Sequence, residues 1–434
     1  MNRLPALVSK PARSPHAQRD AERLLAAGPC AVCTERDDAA HRWLRYFTHH
    51  SRAEARVQTR IRSSMGFCPP HTRHLLGDPA SASWLLPQLY DLALDGGLQL
   101  LTGPARRPAP HACPACVTGT RAAARARSVL LRALDRPPVF AAMTGGDVCL
   151  PHLAAAAASL PAEEGVRLAE AVVHRFPERA ALEWIAGSDA DAPVRARLHR
   201  ALDPLADEED RRQQRSVLDR WDADAGLACC PLCLAEHRAA RRLLRWAAWA
   251  GPEPPDGEDT ALCARHLHDL AADGGPNLAV ITAGNAAAWQ ARFTRFHLLR
   301  RQGGAARRTA PERLLYGPDT RGCRACREEA LAARRQRDLL TAVLYDATRA
   351  RAYETAHGIC LRHAMSWPDP PAPVFAALRA RTALLRWELD EALRKQEWHT
   401  RHEVRGAELG VGLRAPTLVD GRVYAGLPPQ PRVH

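Results

Sequence analysis

One pattern recurs four times along this chain and limits what it can fold into. Each copy is Cys-x-x-Cys, then a helix-rich stretch of roughly thirty residues, then Cys-x-x-His. Read in chain order, the copies pair Cys30 and Cys33 with Cys68 and His71, and Cys113 and Cys116 with Cys149 and His152. They continue with Cys230 and Cys233 beside Cys263 and His266, and Cys323 and Cys326 beside Cys360 and His363. Twelve of the thirteen cysteines fall in this register, and Cys229 is the one left over. Three thiols and an imidazole form a standard tetrahedral ligand set for structural zinc. The expectation is four Zn2+ ions, each stapling one module.

The local sequence supplies a physical reason for the spacing. In Cys68-Pro69, Cys113-Pro114 and Cys230-Pro231 a proline follows the first cysteine. Proline is tolerated at the first position of a helix, where its missing N–H costs little. Each ligand pair therefore belongs at a helix N-terminus, where free N–H groups and the positive dipole end stabilise thiolate. A structural zinc contributes on the order of 10 kcal/mol to the folding of a small module at neutral pH. With only 5% aromatic residues, modules of this kind are expected to depend on it.

Paired cysteines have other readings. Disulfides require an oxidising compartment, and the first eighteen residues lack a secretory apolar core, so the expected location is cytoplasmic. Covalent haem needs histidine directly after the second cysteine, whereas Thr34, Val117, Leu234 and Arg327 stand there. A thioredoxin-like redox site needs a βαβ setting that the sequence does not offer. Iron–sulfur clusters remain the chemical competitor, because their ligands are cysteines with an occasional histidine. His74, His237 and His268 lie near the ligands and could replace a named histidine. The recurrence of Cys-x-x-His in all four copies favours His71, His152, His266 and His363. Cys229 reads as a spare thiol beside Cys230, positioned to respond to oxidants.

Alanine, leucine and arginine dominate, and no run of alternating β-branched and aromatic residues appears, so the fold class is all-α. The organisation read from breakers and composition is a flexible lead-in over 1–28, helical from about residue 17, and modules at 29–104 and 105–190. A charged helical spacer over 191–226 follows, then modules at 227–318 and 319–405 and a loose tail at 406–434. This is a tandem array of four modules, read as a duplicated pair. Pro87 and Gly96-Gly97 are expected to break the apolar segment Trp84–Leu101. No apolar run approaches the roughly 18–20 residues of a membrane span.

The formal charge of +13 falls to +9 if twelve thiolates and four divalent ions are counted. Lys10 and Lys395 are the only lysines, so the basic charge is arginine. Clusters at Arg211/Arg212/Arg215, Arg241/Arg242/Arg245, Arg300/Arg301/Arg307/Arg308 and Arg334/Arg335/Arg337 are candidate phosphate contacts, against the alternative of solvated helix faces. No nucleophile elbow, phosphate-binding glycine loop, HExxH or deaminase His-x-Glu pair is present. A site with four protein ligands has no position for substrate, which points to a non-enzymatic binding or scaffold protein with an unidentified protein partner. The rival classes are an iron–sulfur electron-transfer or redox partner and a nucleic-acid-associated factor.

Several stretches resemble a loose group of uncharacterised bacterial proteins built on Cys-Pro-x-Cys and Gly-x-Cys-x-x-His pairs. They are Cys230-Pro-Leu-Cys233, Cys113-Pro-Ala-Cys116, Gly66-Phe-Cys68-Pro-Pro-His71 and Gly358-Ile-Cys360-Leu-Arg-His363. Ala31 and Arg324 depart from the pattern. The resemblance covers well under half the chain, implies a zinc-binding helical protein and supplies no activity.

Overall fold

Eight helices of the computed structural model begin one residue after a cysteine of the repeated pattern. The structure describes residues 15–51, 54–76, 85–102, 113–176, 182–188, 230–249, 262–302, 323–356 and 358–421. Among these, every regular element is helical and there is no strand. The charged spacer, Cys229, Arg211, Arg212, Arg215, Arg307 and Arg308 lie outside the described residues.

In chain order the helices are α1 (Pro15–Leu25), α2 (Ala31–Tyr46), α3 (Ala55–Ser64), α4 (Pro69–Leu76) and α5 (Leu85–Thr102). There follow α6 (Pro114–Arg132), α7 (Pro137–Ala142), α8 (Leu150–Ser159), α9 (Ala162–Arg175) and α10 (Leu182–Ala186). The second half holds α11 (Pro231–Trp249), α12 (Ala264–Asp273), α13 (Leu278–Gln302) and α14 (Arg324–Val343). It ends with α15 (Ala347–Thr355), α16 (Leu361–Met365), α17 (Ala372–Arg394) and α18 (Val411–Asp420). Pro69, Pro114 and Pro231 each open a helix, where the missing N–H would have had no intrahelical partner.

The chain forms two compact units, each discontinuous in sequence. One comprises Met1–Ala39, Thr118–Ala190 and Ala247–Arg324; the other comprises Ala40–Val117, Asp191–Trp246 and Ala325–His434. The first buries Leu153, Leu168, Val172, Trp184, Phe293 and Phe296 where α9 packs on α8 and α13. α9 supplies Ala169 and Val172 to this core, and Phe176 just past its end joins them. The second unit buries Ile61, Leu89, Tyr90, Leu94, Leu385 and Leu389 where α5 packs on α3 and α17.

Two local expectations change. Gly96 and Gly97 do not break the Leu85–Thr102 helix; they sit inside it and let neighbours approach. A Cβ on Gly96 would lie 2.7 Å from the carbonyl carbon of Arg62 on α3, and one on Gly97 would lie 2.6 Å from Leu361 Cδ1. Glycine here serves helix–helix contact, which period counting does not distinguish from a turn signal. Within the segment expected to be a loose tail, Val411–Asp420 is helical, with Val411, Ala415, Leu418 and Val419 buried against α5 and α17. Gly412 and Pro416 interrupt its apolar period, and packing rather than propensity holds it.

Gly96→Ala is expected to force α3 and α5 apart and to lower stability by about 1–3 kcal/mol, as overpacking does. Thermal unfolding should show the loss while metal content is unchanged. An unaltered melting temperature would contradict the tight α3–α5 contact.

Candidate metal centres

Each cysteine that precedes a helix is its N-cap residue, so the second ligand, three residues on, lies in the first turn. Cys149, Cys263 and Cys360 have the extended backbone usual for an N-cap. Two helix N-termini meet at every cluster, bringing two positive dipole ends to bear on three sulfurs.

All sixteen residues singled out by the sequence converge into four groups, each with its ligand atoms within 4.8 Å of one another. The partners are not those expected from chain order. Cys30 and Cys33 join Cys149 and His152, while Cys68 and His71 join Cys113 and Cys116. Cys230 and Cys233 join Cys360 and His363, while Cys263 and His266 join Cys323 and Cys326. In both halves the first and last pairs form an outer cluster, and the middle two pairs form an inner one.

The outgoing and returning helices of the sequential copies differ in length. In copies one, two and four the helix leaving Cys-x-x-Cys has 16, 19 and 20 residues. At 1.5 Å per residue these carry the chain about 24–30 Å away. The segments leading back are α3 with ten residues, α7 and the following turn with six and five, and α15 with nine. They cover only about 14–17 Å.

The geometry within the clusters is uniform. Every histidine turns Nδ1 toward the sulfurs. In the Cys30 cluster, Nδ1 of His152 lies 3.6, 3.5 and 3.2 Å from the sulfurs of Cys30, Cys33 and Cys149. In the Cys68 cluster, Nδ1 of His71 lies 3.1, 3.5 and 3.4 Å from Cys68, Cys113 and Cys116. In the Cys230 cluster, Nδ1 of His363 lies 3.5, 3.3 and 3.3 Å from Cys230, Cys233 and Cys360. In the Cys263 cluster, Nδ1 of His266 lies 3.3 Å from Cys263 and 3.2 Å from Cys323. Sulfur–sulfur distances are 3.8 Å for Cys33–Cys149, 3.5 Å for Cys68–Cys116 and 3.7 Å for Cys233–Cys360.

Three thiols this close cannot all ionise without a cation. Hydrogen bonds from Cys149 and Cys33 hold the Cys30 thiol down at about 3, while Cys149, facing both of those sulfurs, is pushed well up. Cys113 is lowered by hydrogen bonds with Cys116 and Cys68, and Cys68 is raised by those with Cys113 and Cys116. Burial opposes charge on His71, yet its hydrogen bonds to Cys113 and Cys116 raise it to about 10. Burial likewise opposes charge on His363, which the Cys360 and Cys233 sulfurs push up to about 12. A divalent ion would remove this conflict by neutralising the sulfurs together.

The outer clusters have further support. Arg362 donates to the Cys233 sulfur at 3.5 Å and to Glu236 at 3.2 Å. His363 Nε2–H donates to Glu236 Oε1 at 3.1 Å, an arrangement that fixes the tautomer with Nδ1 free to ligate. Each outer cluster is also closed by a glycine just past a helix end. Gly187 follows α10 with φ +73°, and a Cβ there would sit 2.8 Å from Cys33 Sγ and 3.0 Å from Cys149 Sγ. Gly421 follows α18 with φ +75°, and its Cβ would meet the sulfurs of Cys233 and Cys360. Both conformations suit only glycine without strain, and both positions have no room for a side chain. The sequence reading missed these glycines, whose signal is a C-terminal helix cap.

Burial differs between the two classes by degree: His152 of one outer cluster is half-buried, whereas Cys113, His266 and Cys323 of the inner clusters are buried. Cys30, Cys33 and Cys149 are buried, as are Cys230, Cys233, Cys360 and His363. Cys68, His71 and Cys116 of one inner cluster, and Cys263 and Cys326 of the other, are partly exposed. His268, noted in sequence as an alternative ligand, belongs to none of the groups. Of the proposed arginine clusters, Arg241 is buried and Arg300 lies over the Phe296 ring. Arg242, Arg301, Arg334 and Arg335 are exposed.

In comparison with known proteins, no family model, no curated protein and no solved structure matched the chain.

Mild oxidation of the metal-free chain is expected to join nested partners. Peptide mapping should recover Cys33–Cys149, Cys68–Cys116 and Cys233–Cys360. Recovery of Cys33–Cys68 instead would restore the sequential pairing and refute the nested one.

Proposed function

We propose that this protein is a non-enzymatic helical scaffold that holds four structural zinc ions, one in each Cys3His cluster. The spacing of the ligand atoms carries this reading. Zinc with bonds of about 2.3 Å to sulfur and 2.05 Å to nitrogen sets tetrahedral S···S and S···N separations of about 3.8 and 3.6 Å. One sulfur pair in each of three clusters lies at 3.5–3.8 Å and the Nδ1–sulfur contacts at 3.1–3.6 Å, with all remaining separations within 4.8 Å. An iron–sulfur cluster spreads its ligands over several irons; ligand atoms all within 4.8 Å of one another favour a single ion. When bound, zinc would supply charge neutralisation and a rigid tether, without redox chemistry. Four protein ligands leave no open coordination position, which supports a structural role over a catalytic one.

An exposed apolar face supports an interaction role. On α17, Leu384 is 53% and Trp387 63% exposed, although Leu385 and Leu389 on the other side are buried. Tryptophan is enriched at protein–protein interfaces, so this face suits a protein partner. No helix among the described residues is long and apolar enough to cross a membrane.

Metal analysis of the full chain is expected to give about four zinc ions, one per Cys3His cluster, and no visible absorbance. Iron with acid-labile sulfide would overturn the reading. Glu236→Gln removes the carboxylate behind His363. It should weaken one site about 10–100-fold in chelator competition and leave three unchanged.

A second reading rests on α6. This helix contains Arg121, Arg125, Arg127 and Arg132 and no acidic residue. Arg121, Arg125 and Arg132 are exposed on one face, and no ion pair involves any of the four among the described residues. Such a stripe favours contact with a phosphate backbone. Replacing those three exposed arginines by alanine should then lower the slope of log affinity for duplex DNA against log salt by about 2–3. No binding by the native chain at low salt would remove this reading.

A further inference from the structure

The two classes of cluster are tied together by side chains that no ligand role explains. α12 carries His266, a member of the inner Cys263 cluster, in its first turn. Two residues on, His268 Nε2 lies 2.9 Å from the carbonyl oxygen of Gly187. That oxygen can only accept, so Nε2 carries the proton and donates. Gly187 is the residue packed against the sulfurs of Cys33 and Cys149 in the outer Cys30 cluster. α10, which delivers Gly187, packs directly on α12.

The same connection is built from different residues elsewhere. α4 carries His71 of the inner Cys68 cluster. The next residue, Thr72, is fully buried, accepts from Tyr90 Oη at 3.1 Å and shares its one hydroxyl proton between Asp420 Oδ2 and the Phe67 carbonyl oxygen, each at 3.4 Å. Asp420 immediately precedes Gly421, the glycine closing the outer Cys230 cluster. In both places the helix bearing an inner cluster's histidine holds down the cap of an outer cluster. In both, the inner cluster is from one half of the sequence and the outer cluster from the other.

We propose that His268 and Thr72 are positioning residues that make metal retention at each sealed outer site depend on metal at a more accessible inner site. The inference rests on the zinc-binding reading above. A metal at the Cys263 cluster fixes the N-terminus of α12 and so holds His268 against Gly187. Loss of that metal frees the turn, releases Gly187 and uncovers the sulfurs of Cys33 and Cys149. Loss of metal from the Cys68 cluster frees Thr72 and, through Asp420 and Gly421, uncovers Cys233 and Cys360. The partly exposed clusters are thus the points at which a chelator or oxidant enters, and the buried ones follow.

The test is peptide-resolved alkylation of the full, zinc-loaded chain by iodoacetamide. In the native chain Cys30, Cys33, Cys149, Cys230, Cys233 and Cys360 should react slowest. Cys263→Ser should accelerate Cys33 and Cys149 at least about tenfold, the equivalent of one lost hydrogen bond, while leaving Cys233 and Cys360 unchanged. Cys68→Ser should do the reverse. His268→Ala keeps all sixteen ligands and should accelerate Cys33 and Cys149 without loss of zinc from the Cys263 cluster. It therefore tests the link even if Cys263→Ser fails to fold. General loosening would accelerate every outer cysteine, so the crossed pattern separates coupling from a merely structural effect. The proposal is overturned if His268→Ala leaves Cys33 and Cys149 as protected as in the native chain, or if both serine variants accelerate all outer cysteines alike. A native chain without zinc, whose cysteines all react rapidly, would instead defeat the zinc-binding reading itself.

Discussion

Three thiols and an imidazole brought together at the meeting of two helix N-termini form the constraint on which the rest of this structure depends. The arrangement is repeated four times and places every helix start of the repeated pattern at a cluster. Without a cation it is electrostatically divided: in the Cys30 and Cys68 clusters one thiol is held down and another pushed up, because adjacent buried sulfurs cannot share negative charge. Helix dipoles ease this by at most about 2 kcal/mol per terminus. A bound divalent ion contributes on the order of 10 kcal/mol, so its effect exceeds that of the surrounding helix ends.

Each unit also has its own apolar core. Each is a contact between a few helices, α8, α9 and α13 in one unit and α3, α5 and α17 in the other. Close approach depends on small residues: Gly96 lies against the Arg62 backbone, and Gly165 would place a Cβ 2.7 Å from the Ala157 carbonyl. Around these approaches the buried side chains are large, with Leu85, Leu86, Leu89, Tyr90 and Leu94 on α5 and Phe293 and Phe296 on α13. At roughly 25 cal/mol per Å2 of apolar surface they outweigh the surface ion pairs, such as Arg386 with Asp91 and Asp95 at 2.9 and 3.0 Å.

What the sequence made legible was chemistry of fixed spacing. Cys-x-x-Cys and Cys-x-x-His identify ligands because a three-residue step at a helix start puts two side chains on one side of the first turn. Pro69, Pro114 and Pro231 marked those starts correctly. Features that depend on three-dimensional return were not legible in the same way. Gly187 and Gly421 matter because a helix end happens to arrive over two sulfurs, and nothing local distinguishes them from other capping glycines. The Val411–Asp420 helix escapes period counting because Pro416 interrupts it and burial sustains it. Gly96 and Gly97 read as a break because the sequence does not reveal that a neighbouring backbone fills the space.

The pairing of ligands shows why proximity in sequence misleads. Joining Cys33 to Cys68 would close a loop of 35 residues, whereas the observed partner Cys149 lies 116 residues away. Loop-closure entropy grows only as the logarithm of length, so the longer loop costs about 1 kcal/mol more. That is about a tenth of what a bound ion would supply. The inner clusters show that unequal helices do not forbid a return either: His266 and Cys323 meet although a ten-residue and a 25-residue helix lie between them. The pairing follows from where the packed helices bring their N-termini together, and short spacing in sequence is no guide to it.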